Sequence, residues 1–373
     1  MAKDHHQPHS FTKKLLPWTL YTILPIAIFR CYFYPPQFPH SSTDELSLNT
    51  PIIIPSSSSS APPFSSSSLS QEGEIRADEP PCDYTNGNWV QDKIGPLYNG
   101  TTCGTIKEAP NLVYRNGEDN KFRKWNFASH NVNISVYWSP FLVDGVEKSN
   151  TGPNYNKLYL DRIDEKWGAD LDHIDMIVLS VGHWFLHPAV YFDGDSVLGC
   201  HFCEGLNHTE IGFYDVLRKA LKTTLKTITE RRGSSVNVLD VIVTTFSPAH
   251  FEGEWDKAGA CSKTKPYKEG EKVLEGMDAE MRNLEVEEVD LAKENAKQFK
   301  GMRLEALDVT KLSLMRPDGH PGPYMHPNPF AGGIKERVQN DCVHWCLPGP
   351  VDTWNQILLA IIKRWEGQSR KGE

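Results

Sequence analysis

The chain has 373 residues, a formal charge of -9, and 39% hydrophobic, 23% charged and 10% aromatic residues. This length suits about two average domains, and the composition excludes a wholly disordered chain, a collagen or a coiled coil. The acidic balance argues against a nucleic-acid binder, which needs a basic face, and fits a neutral partner such as a small molecule or a glycan.

The N-terminal segment predicts a membrane anchor. Residues 15–34 are apolar apart from Arg30, and about 20 apolar residues span a bilayer. Lysines precede this run within residues 1–14 and acidic residues follow it, so the positive-inside rule predicts a cytoplasmic tail at 1–14 and a lumenal remainder. A cleaved signal peptide is the alternative, but no small-residue cleavage site follows the run. We therefore expect a single-pass type II signal anchor.

Residues 35–80 predict an unfolded lumenal stem, because their serine and proline runs cannot bury enough apolar surface to fold. A short anchor, such a stem and a lumenal catalytic domain are the usual plan of Golgi membrane enzymes that modify glycans. Three N-glycosylation sequons fall on the predicted lumenal side, at Asn99, Asn133 and Asn207.

The folded part alternates between strand and helix patterns. Apolar, β-branched runs predict buried strands at 176–181, 236–246 and 302–309, and helical spacing predicts helices at 210–232, 278–300 and 351–365. This alternation predicts a layered α/β domain with a largely parallel sheet, whose active residues lie on loops at the carboxyl ends of the strands. The acidic residues Glu285, Glu287, Glu288 and Asp290 are interpreted as a solvated helix face.

The strongest candidate site is the segment from Asp341 to Gly349, with the sequence Asp-Cys-Val-His-Trp-Cys-Leu-Pro-Gly. An Asp three residues before a His can hold the tautomer of the imidazole and stabilise the imidazolium that forms when the ring takes a proton. Asp341 and His344 therefore form a candidate pair of orienting carboxylate and general base. A solvated turn or a core histidine is the ordinary alternative for such spacing.

Longer motifs resemble the plant trichome-birefringence-like family of polysaccharide O-acetyltransferases, and most closely its xyloglucan-acetylating branch. The matching stretches run in the family's order from Cys82 almost to the end of the chain: 82–90 (CDYTNGNWV), 96–98 (PLY), 181–185 (VGHWF), 316–321 (RPDGHP) and 341–349. The resemblance implies an N-terminal part of the domain at 81–108 and a C-terminal PC-esterase-like acetyltransferase domain at 109–368.

This resemblance implies an SGNH/GDSL-hydrolase-like α/β fold and a Ser-His-Asp mechanism that needs no cofactor and no metal. A Gly-Asp-Ser serine takes an acetyl group from a donor and passes it to a hydroxyl of a xyloglucan-like polysaccharide. Asp341 and His344 match the family's second motif, which makes His344 the general base and Asp341 its orienting carboxylate.

The chain departs from the family where the nucleophile is expected. The family continues after its Cys-Gly-Thr-Ile-Lys sequence through a cysteine- and tryptophan-rich segment to an apolar strand that ends in Gly-Asp-Ser. Here 104–108 run directly into 109–114, which resembles sequence beyond that block. Residues 194–196 do read Gly-Asp-Ser, but they follow the Gly-His-Trp-Phe segment and are interpreted as a hairpin turn between short strands. We predict that the nucleophile block is deleted.

The cysteine count supports a deletion. Without Cys31 in the predicted anchor, seven cysteines remain in an oxidising lumen, so at least one lacks an intrachain partner. The resemblance implies a Cys261–Cys342 disulfide and places the partners of Cys82, Cys103 and Cys346 in the missing block. Losing a native disulfide costs ~2–5 kcal/mol. We therefore expect this chain to be inactive and poorly folded.

Further readings of the sequence remain open. His183 and Trp184 either line the cleft as a sugar platform or pack in the core. The cysteines and histidines of 200–203 and 342–346 could form a zinc site, but a lumenal location favours disulfides. For the whole chain, the alternatives to an O-acetyltransferase are a non-catalytic isoform that binds glycan and an acetyl esterase.

Overall fold

A computed structural model describes residues 83–84, 87–90, 112–113, 121–149, 151–233, 238–299, 301–325, 328–333 and 336–369. The predicted anchor at 15–34 and stem at 35–80 lie outside these residues, as do Cys82 and Cys103. Within the described residues, no helix is long and apolar enough to cross a membrane. The chain divides between Glu79 and Pro80, and every described residue belongs to the second part.

Ten strands and five α-helices make up the described fold. The strands are β1 (Leu112–Val113), β2 (Phe122–Phe127), β3 (Val132–Tyr137), β4 (Val143–Val146), β5 (Asn156–Ile163), β6 (Met176–Ser180), β7 (Ala189–Asp193), β8 (Ser196–His201), β9 (Leu239–Thr244) and β10 (Met302–Leu307). The helices are α1 (Glu165–Gly168), α2 (Tyr214–Arg232), α3 (Gly276–Ala296), α4 (Thr310–Leu314) and α5 (Pro350–Ser369).

The predicted parallel sheet has the order β10-β9-β6, with both pairings parallel. Successive side chains of a strand point to opposite faces, and both faces of β9 are covered. Val241 and Val243 join the core formed with α2 and α3, whereas Ile242 packs with Ile361 and Trp365 of α5. The central sheet is therefore sandwiched between helices, which confirms the α/β layering expected from the sequence.

Two further sheets are present, of which the sequence analysis predicted only the hairpin of β7 and β8. One is antiparallel with the order β1-β2-β3, and the other is mixed with the order β4-β5-β7-β8. The strands β2 and β3 mix polar with apolar residues and bury only Phe122, which gives a weaker signal than the buried run of β9.

The predicted helices are present, with two corrections. The helix expected at 210–232 begins at Tyr214, because Ile211 still bonds to Cys200 through its backbone and Gly212 adopts a φ of 69°. The acidic face expected on the helix at 278–300 is wrong in part: Glu285 and Glu288 are buried on α3. Helical spacing puts both on the same face as the core residues of this helix.

Candidate active site

Asp341 and His344 form the contact that the sequence predicts. The Nδ1 of His344 lies 2.8 Å from Oδ2 of Asp341, and the second carboxylate oxygen accepts backbone N–H groups of Val343 (3.0 Å) and His344 (2.9 Å). The Asp341 side chain is only 14% exposed, whereas that of His344 is 82% exposed. Burial would raise the pKa of Asp341, but these hydrogen bonds and His344 lower it overall. The carboxylate is thus held ionised and the ring is oriented.

The turn that carries this pair is fixed at several points. Cys342 is disulfide-bonded to Cys261, as the family resemblance implies. The backbones of Asp341 and Gly322 exchange two hydrogen bonds of 2.9 and 3.0 Å, and the N–H of Cys346 donates to the carbonyl of Gly319. The pair therefore sits on a rigid support and not on a free loop.

The same turn contacts the carboxyl ends of two central strands. His183 follows β6 closely and Ser247 follows β9. The Nε1 of Trp345 donates to Oγ of Ser247 (2.8 Å), and Nε2 of His183 bonds to the Ser247 carbonyl (2.7 Å). Burial lowers the pKa of His183, the Ser247 carbonyl opposes this, and His344 lowers it further. The candidate site thus occupies the sheet edge where α/β proteins place ligands.

Trp184 lies in an aromatic cluster. Its ring meets Trp138, Phe141 and His187 at centroid distances of 5.4, 6.2 and 5.4 Å. His183 stacks obliquely on Phe246 at 4.6 Å. These contacts are those of the packed alternative, and a role for His183 or Trp184 in binding substrate stays a prediction.

Two histidines that the sequence analysis missed lie beneath the turn. His320 bonds through Nδ1 to the carbonyl of His344 and through Nε2 to Nδ1 of His250, both at 2.7 Å, and its ring stacks on Trp345. The signal was weak: His320 lies within the stretch 316–321, to which the sequence assigns no role, and His250 is 70 residues away in the chain.

Residues 194–196 form the predicted hairpin turn. Asp193 of β7 pairs with Ser196 of β8, and Gly194 has a φ of 56°. Ser196 therefore belongs to a tight two-strand connection, and the structure gives it no bond to His344.

The described cysteines form two disulfides and one free thiol. Besides Cys261–Cys342, Cys200 is bonded to Cys203, and Cys346 is free and half-buried. Among the described residues, one group of three potential metal ligands lies close together, Cys200, Cys203 and Glu210, and its two sulfurs are joined to each other. Cys342, His344 and Cys346 are outside that group.

One face of β6 is poorly covered. Within the described residues β6 and β10 are the two edge strands of the central sheet, and each pairs with β9 alone. Val178 of β6 pairs in register with Ile242 and therefore lies on the same face, yet Ile242 is fully buried under α5 while Val178 is 46% exposed. Parallel sheets are normally covered on both faces and bury their strands. On this face β6 is therefore covered less completely than β9.

Two of the three sequons can be placed. Asn133 is exposed on β3 and accepts a hydrogen bond from Asn126, and Asn207 is exposed in the loop after β8. Asn99 lies outside the described residues.

Comparisons with known protein families and with individual proteins agree on one family. Residues 102–361 match PC-Esterase, the GDSL/SGNH-like acyl-esterase family found in Pmr5 and Cas1p. Xyloglucan O-acetyltransferase 1 of Populus trichocarpa is 57% identical, over 100% of this chain and 99% of its own. Xyloglucan O-acetyltransferase 1 of Arabidopsis thaliana is 47% identical, over 98% of this chain and 100% of its own. Protein trichome birefringence-like 25 of Arabidopsis thaliana is 34% identical, over 78% of each.

The alignment with the Populus relative contains gaps. It extends over 440 positions, whereas this chain has 373 residues, so about 67 positions of the relative stand opposite no residue here. Since both chains are covered almost from end to end, these gaps are internal.

Proposed function

The chain belongs to the PC-esterase family of GDSL/SGNH-like acyl-esterases, and from this premise we propose a polysaccharide O-acetyltransferase of the xyloglucan type that lacks its nucleophile. The hydrogen-bonded pair of Asp341 and His344 carries the proposal. The pair supplies a general base and its orienting carboxylate at the ligand-binding edge of an α/β sheet.

The chemistry of the complete enzyme is acetyl transfer through an acyl-serine. The Nε2 of His344 accepts the proton of the serine hydroxyl as it attacks the acetyl donor, and Asp341 stabilises the imidazolium. His344 returns the proton to the leaving group. It then takes a proton from a sugar hydroxyl as that oxygen attacks the acetyl-serine, and gives this proton to the serine oxygen as the acetyl-serine ester bond breaks. Protein side chains perform every step, so the proposal includes no metal and no cofactor.

Three observations support a missing nucleophile segment. The relative has about 67 additional positions. The open edge of β6 and the exposed Val178 are what remains if one strand and a covering helix are removed from a layered sheet. Cys346 is free beside a disulfide-bonded neighbour, as expected if its partner belonged to that segment. The chain itself is then an inactive member of the family.

A Golgi lumenal location is part of the proposal, with residues 15–34 as a type II anchor. The Cys261–Cys342 disulfide supports it, because disulfides persist in oxidising compartments. So does the exposure of Asn133 and Asn207, since a glycan needs a surface site. If treatment with a peptide N-glycosidase lowers the apparent mass of the expressed chain, the chain carries N-linked glycans and lumenal exposure is supported. An unchanged mass would count against it.

The direct test restores the segment. We define the restored chain as residues 1–108 and 109–373 joined through the Populus residues that align between positions 108 and 109. Incubated with an activated aryl acetate as donor and xyloglucan oligosaccharides as acceptor, it should transfer acetyl groups, whereas the chain without the segment should not. His344→Gln in the restored chain should abolish transfer, and absence of transfer from a folded restored chain would contradict the proposal.

The same assay separates the alternatives. An acetyl esterase releases acetate without acetylating the oligosaccharide. A non-catalytic isoform gives neither product, and the chain without the nucleophile segment still binds the oligosaccharide. Because water and a sugar hydroxyl compete for one acyl-serine, the ratio of acetate to acetylated sugar is the quantity to measure.

A further inference from the structure

Two imidazoles beneath the turn of His344 contact each other nitrogen to nitrogen. Nδ1 of His250 and Nε2 of His320 are 2.7 Å apart. The remaining nitrogen of each ring faces a backbone carbonyl: Nε2 of His250 lies 3.0 Å from the oxygen of Leu314, and Nδ1 of His320 lies 2.7 Å from that of His344. Each of the four ring nitrogens therefore has a partner within hydrogen-bonding distance.

The two carbonyls fix where the protons must be. A carbonyl oxygen only accepts hydrogen bonds, so Nε2 of His250 and Nδ1 of His320 must each carry a hydrogen. A neutral imidazole has only one N–H. If both rings were neutral, the two facing nitrogens would both present lone pairs across 2.7 Å, which is a repulsive contact.

We propose that His250 and His320 share one additional proton, as an imidazole–imidazolium pair, and that this proton secures the turn that carries His344. The shared proton converts the lone-pair contact into a charge-assisted hydrogen bond while both carbonyl bonds remain. His320 is thus a positioning residue, since its ring holds the His344 carbonyl and stacks on Trp345 with centroids 4.1 Å apart. The inference concerns the chain's own histidines and does not depend on acetyl transfer.

The charges facing the pair act in both directions. Asp318 favours a positive charge on both rings, and Asp341 favours one on His320. Lys272 opposes a charge on His250, and Arg316 already pairs with Asp318 through two hydrogen bonds.

Burial opposes the added proton as well. It is the main cause that lowers the pKa of His250, and it lowers that of His320 to about 4. The hydrogen-bond pattern instead requires a raised pKa for the pair. Burial and the shared proton therefore predict changes of opposite sign in the free energy of unfolding as the pH rises.

Loss of the shared proton has a defined structural consequence. The remaining hydrogens can satisfy the contact between the rings only if one carbonyl bond is given up. When His320 moves its hydrogen from Nδ1 to Nε2, it bonds to His250 and releases the carbonyl of His344. The turn then loses this contact and keeps its backbone bonds to Gly319, Gly322 and His250, the bond from Trp345 to Ser247 and the Cys261–Cys342 bridge.

The test compares the full chain with His320→Gln, whose amide can donate to His250 without an added proton. A shared proton places the folded-state pKa above the unfolded value, so its stabilisation is present below about pH 6.5 and is lost as the pH rises through the folded pKa. Relative to His320→Gln, the unfolding equilibrium constant of the parent should increase by up to about tenfold per pH unit in that window. The exposed His173→Gln serves as the control and should keep the parent's slope.

The opposite slope would overturn the proposal. If burial decides, the folded-state pKa values are lowered and the parent gains stability relative to His320→Gln as the pH rises toward about 6.5. Nitrogen NMR of the histidine-labelled parent gives a second readout that needs no variant to fold. Two rings that together carry three protonated nitrogens above about pH 7, that is, one imidazolium between them, support the pair, and two neutral rings there contradict it.

Discussion

The carboxylate of Asp341 binds both the ring and the backbone of His344, with Oδ2 at 2.8 Å from Nδ1 and Oδ1 at 2.9 Å from the backbone nitrogen. Asp341→Asn in the restored chain should leave the backbone bond, because the amide oxygen still accepts. Its amide nitrogen, however, would face Nδ1 and select the ring tautomer that carries its hydrogen on Nε2. Acetyl transfer to xyloglucan should fall on the order of 10³–10⁴-fold.

The control for that variant is Asp195→Asn in the β7–β8 turn, an exposed carboxylate outside the site. It should leave the transfer rate unchanged. A rate for Asp341→Asn equal to that of the control would mean that the pair does not act as base and orienter.

Ser196→Ala tests whether the Gly-Asp-Ser sequence at 194–196 has a catalytic role. Because Ser196 is tied into a hairpin by its pairing with Asp193, the substitution should leave acetyl transfer by the restored chain unchanged. Transfer is measured on xyloglucan oligosaccharides by mass spectrometry. A loss comparable with that of His344→Gln would make Ser196 the nucleophile.

Glu285 predicts a pH dependence of stability. Burial raises its pKa to about 8, which the Phe246 N–H at 2.6 Å partly opposes. An acid with a raised folded-state pKa is most favourable while protonated, so stability should decline as the pH rises from about 4.5 through about 8. Glu285→Gln should remove this decline in urea unfolding curves. The matched control is Glu287→Gln, an exposed partner of Arg218, which should retain it.

A substitution at Val178 tests whether the missing segment covers β6. In the chain as it stands Val178→Lys should change the free energy of unfolding by less than about 0.5 kcal/mol, since the residue is 46% exposed. In the restored chain a covering helix would bury the lysine, and the same substitution should cost several kcal/mol. Equal small effects in both chains would mean that the segment does not cover β6. Ile242→Lys, at a fully buried position, should destabilise both.

The disulfide between Cys261 and Cys342 closes a separation of 81 residues. Cys261→Ser should lower the free energy of unfolding by ~2–5 kcal/mol. Cys346→Ser should have little effect in this chain, where the thiol is free, and a disulfide-sized effect in the restored chain. Denaturant unfolding of both substitutions, each made in this chain and in the restored chain, checks both statements. A large effect of Cys346→Ser in this chain would contradict the assignment of its partner to the missing segment.

Local patterns predicted the three long helices, the central strands and the pairing of Asp341 with His344. These features depend on residues close in sequence: β9 is a short run rich in β-branched apolar residues, and a separation of three residues suffices to close the carboxylate–imidazole bond. The turn at 194–196 was predictable for the same reason, because its strands are adjacent in the chain.

The remaining features depend on distant contacts. The contact of His250 with His320 joins residues 70 positions apart, and no local spacing marks either ring. Glu285 was misread because charge alone suggests a solvated face, while the helical period of α3 places it among core residues. The open edge of β6 appears only once the strand order is known.

The central claim is that His344 is a general base oriented by Asp341 and that the serine nucleophile it should activate is absent. Covalent labelling with a fluorophosphonate tests this claim most directly. This reagent reacts with serines that a neighbouring base activates. We predict no labelling of the chain as it stands, and labelling of the inserted serine in the restored chain that His344→Gln abolishes. Labelling of a serine in the unmodified chain that depends on His344 would contradict the account.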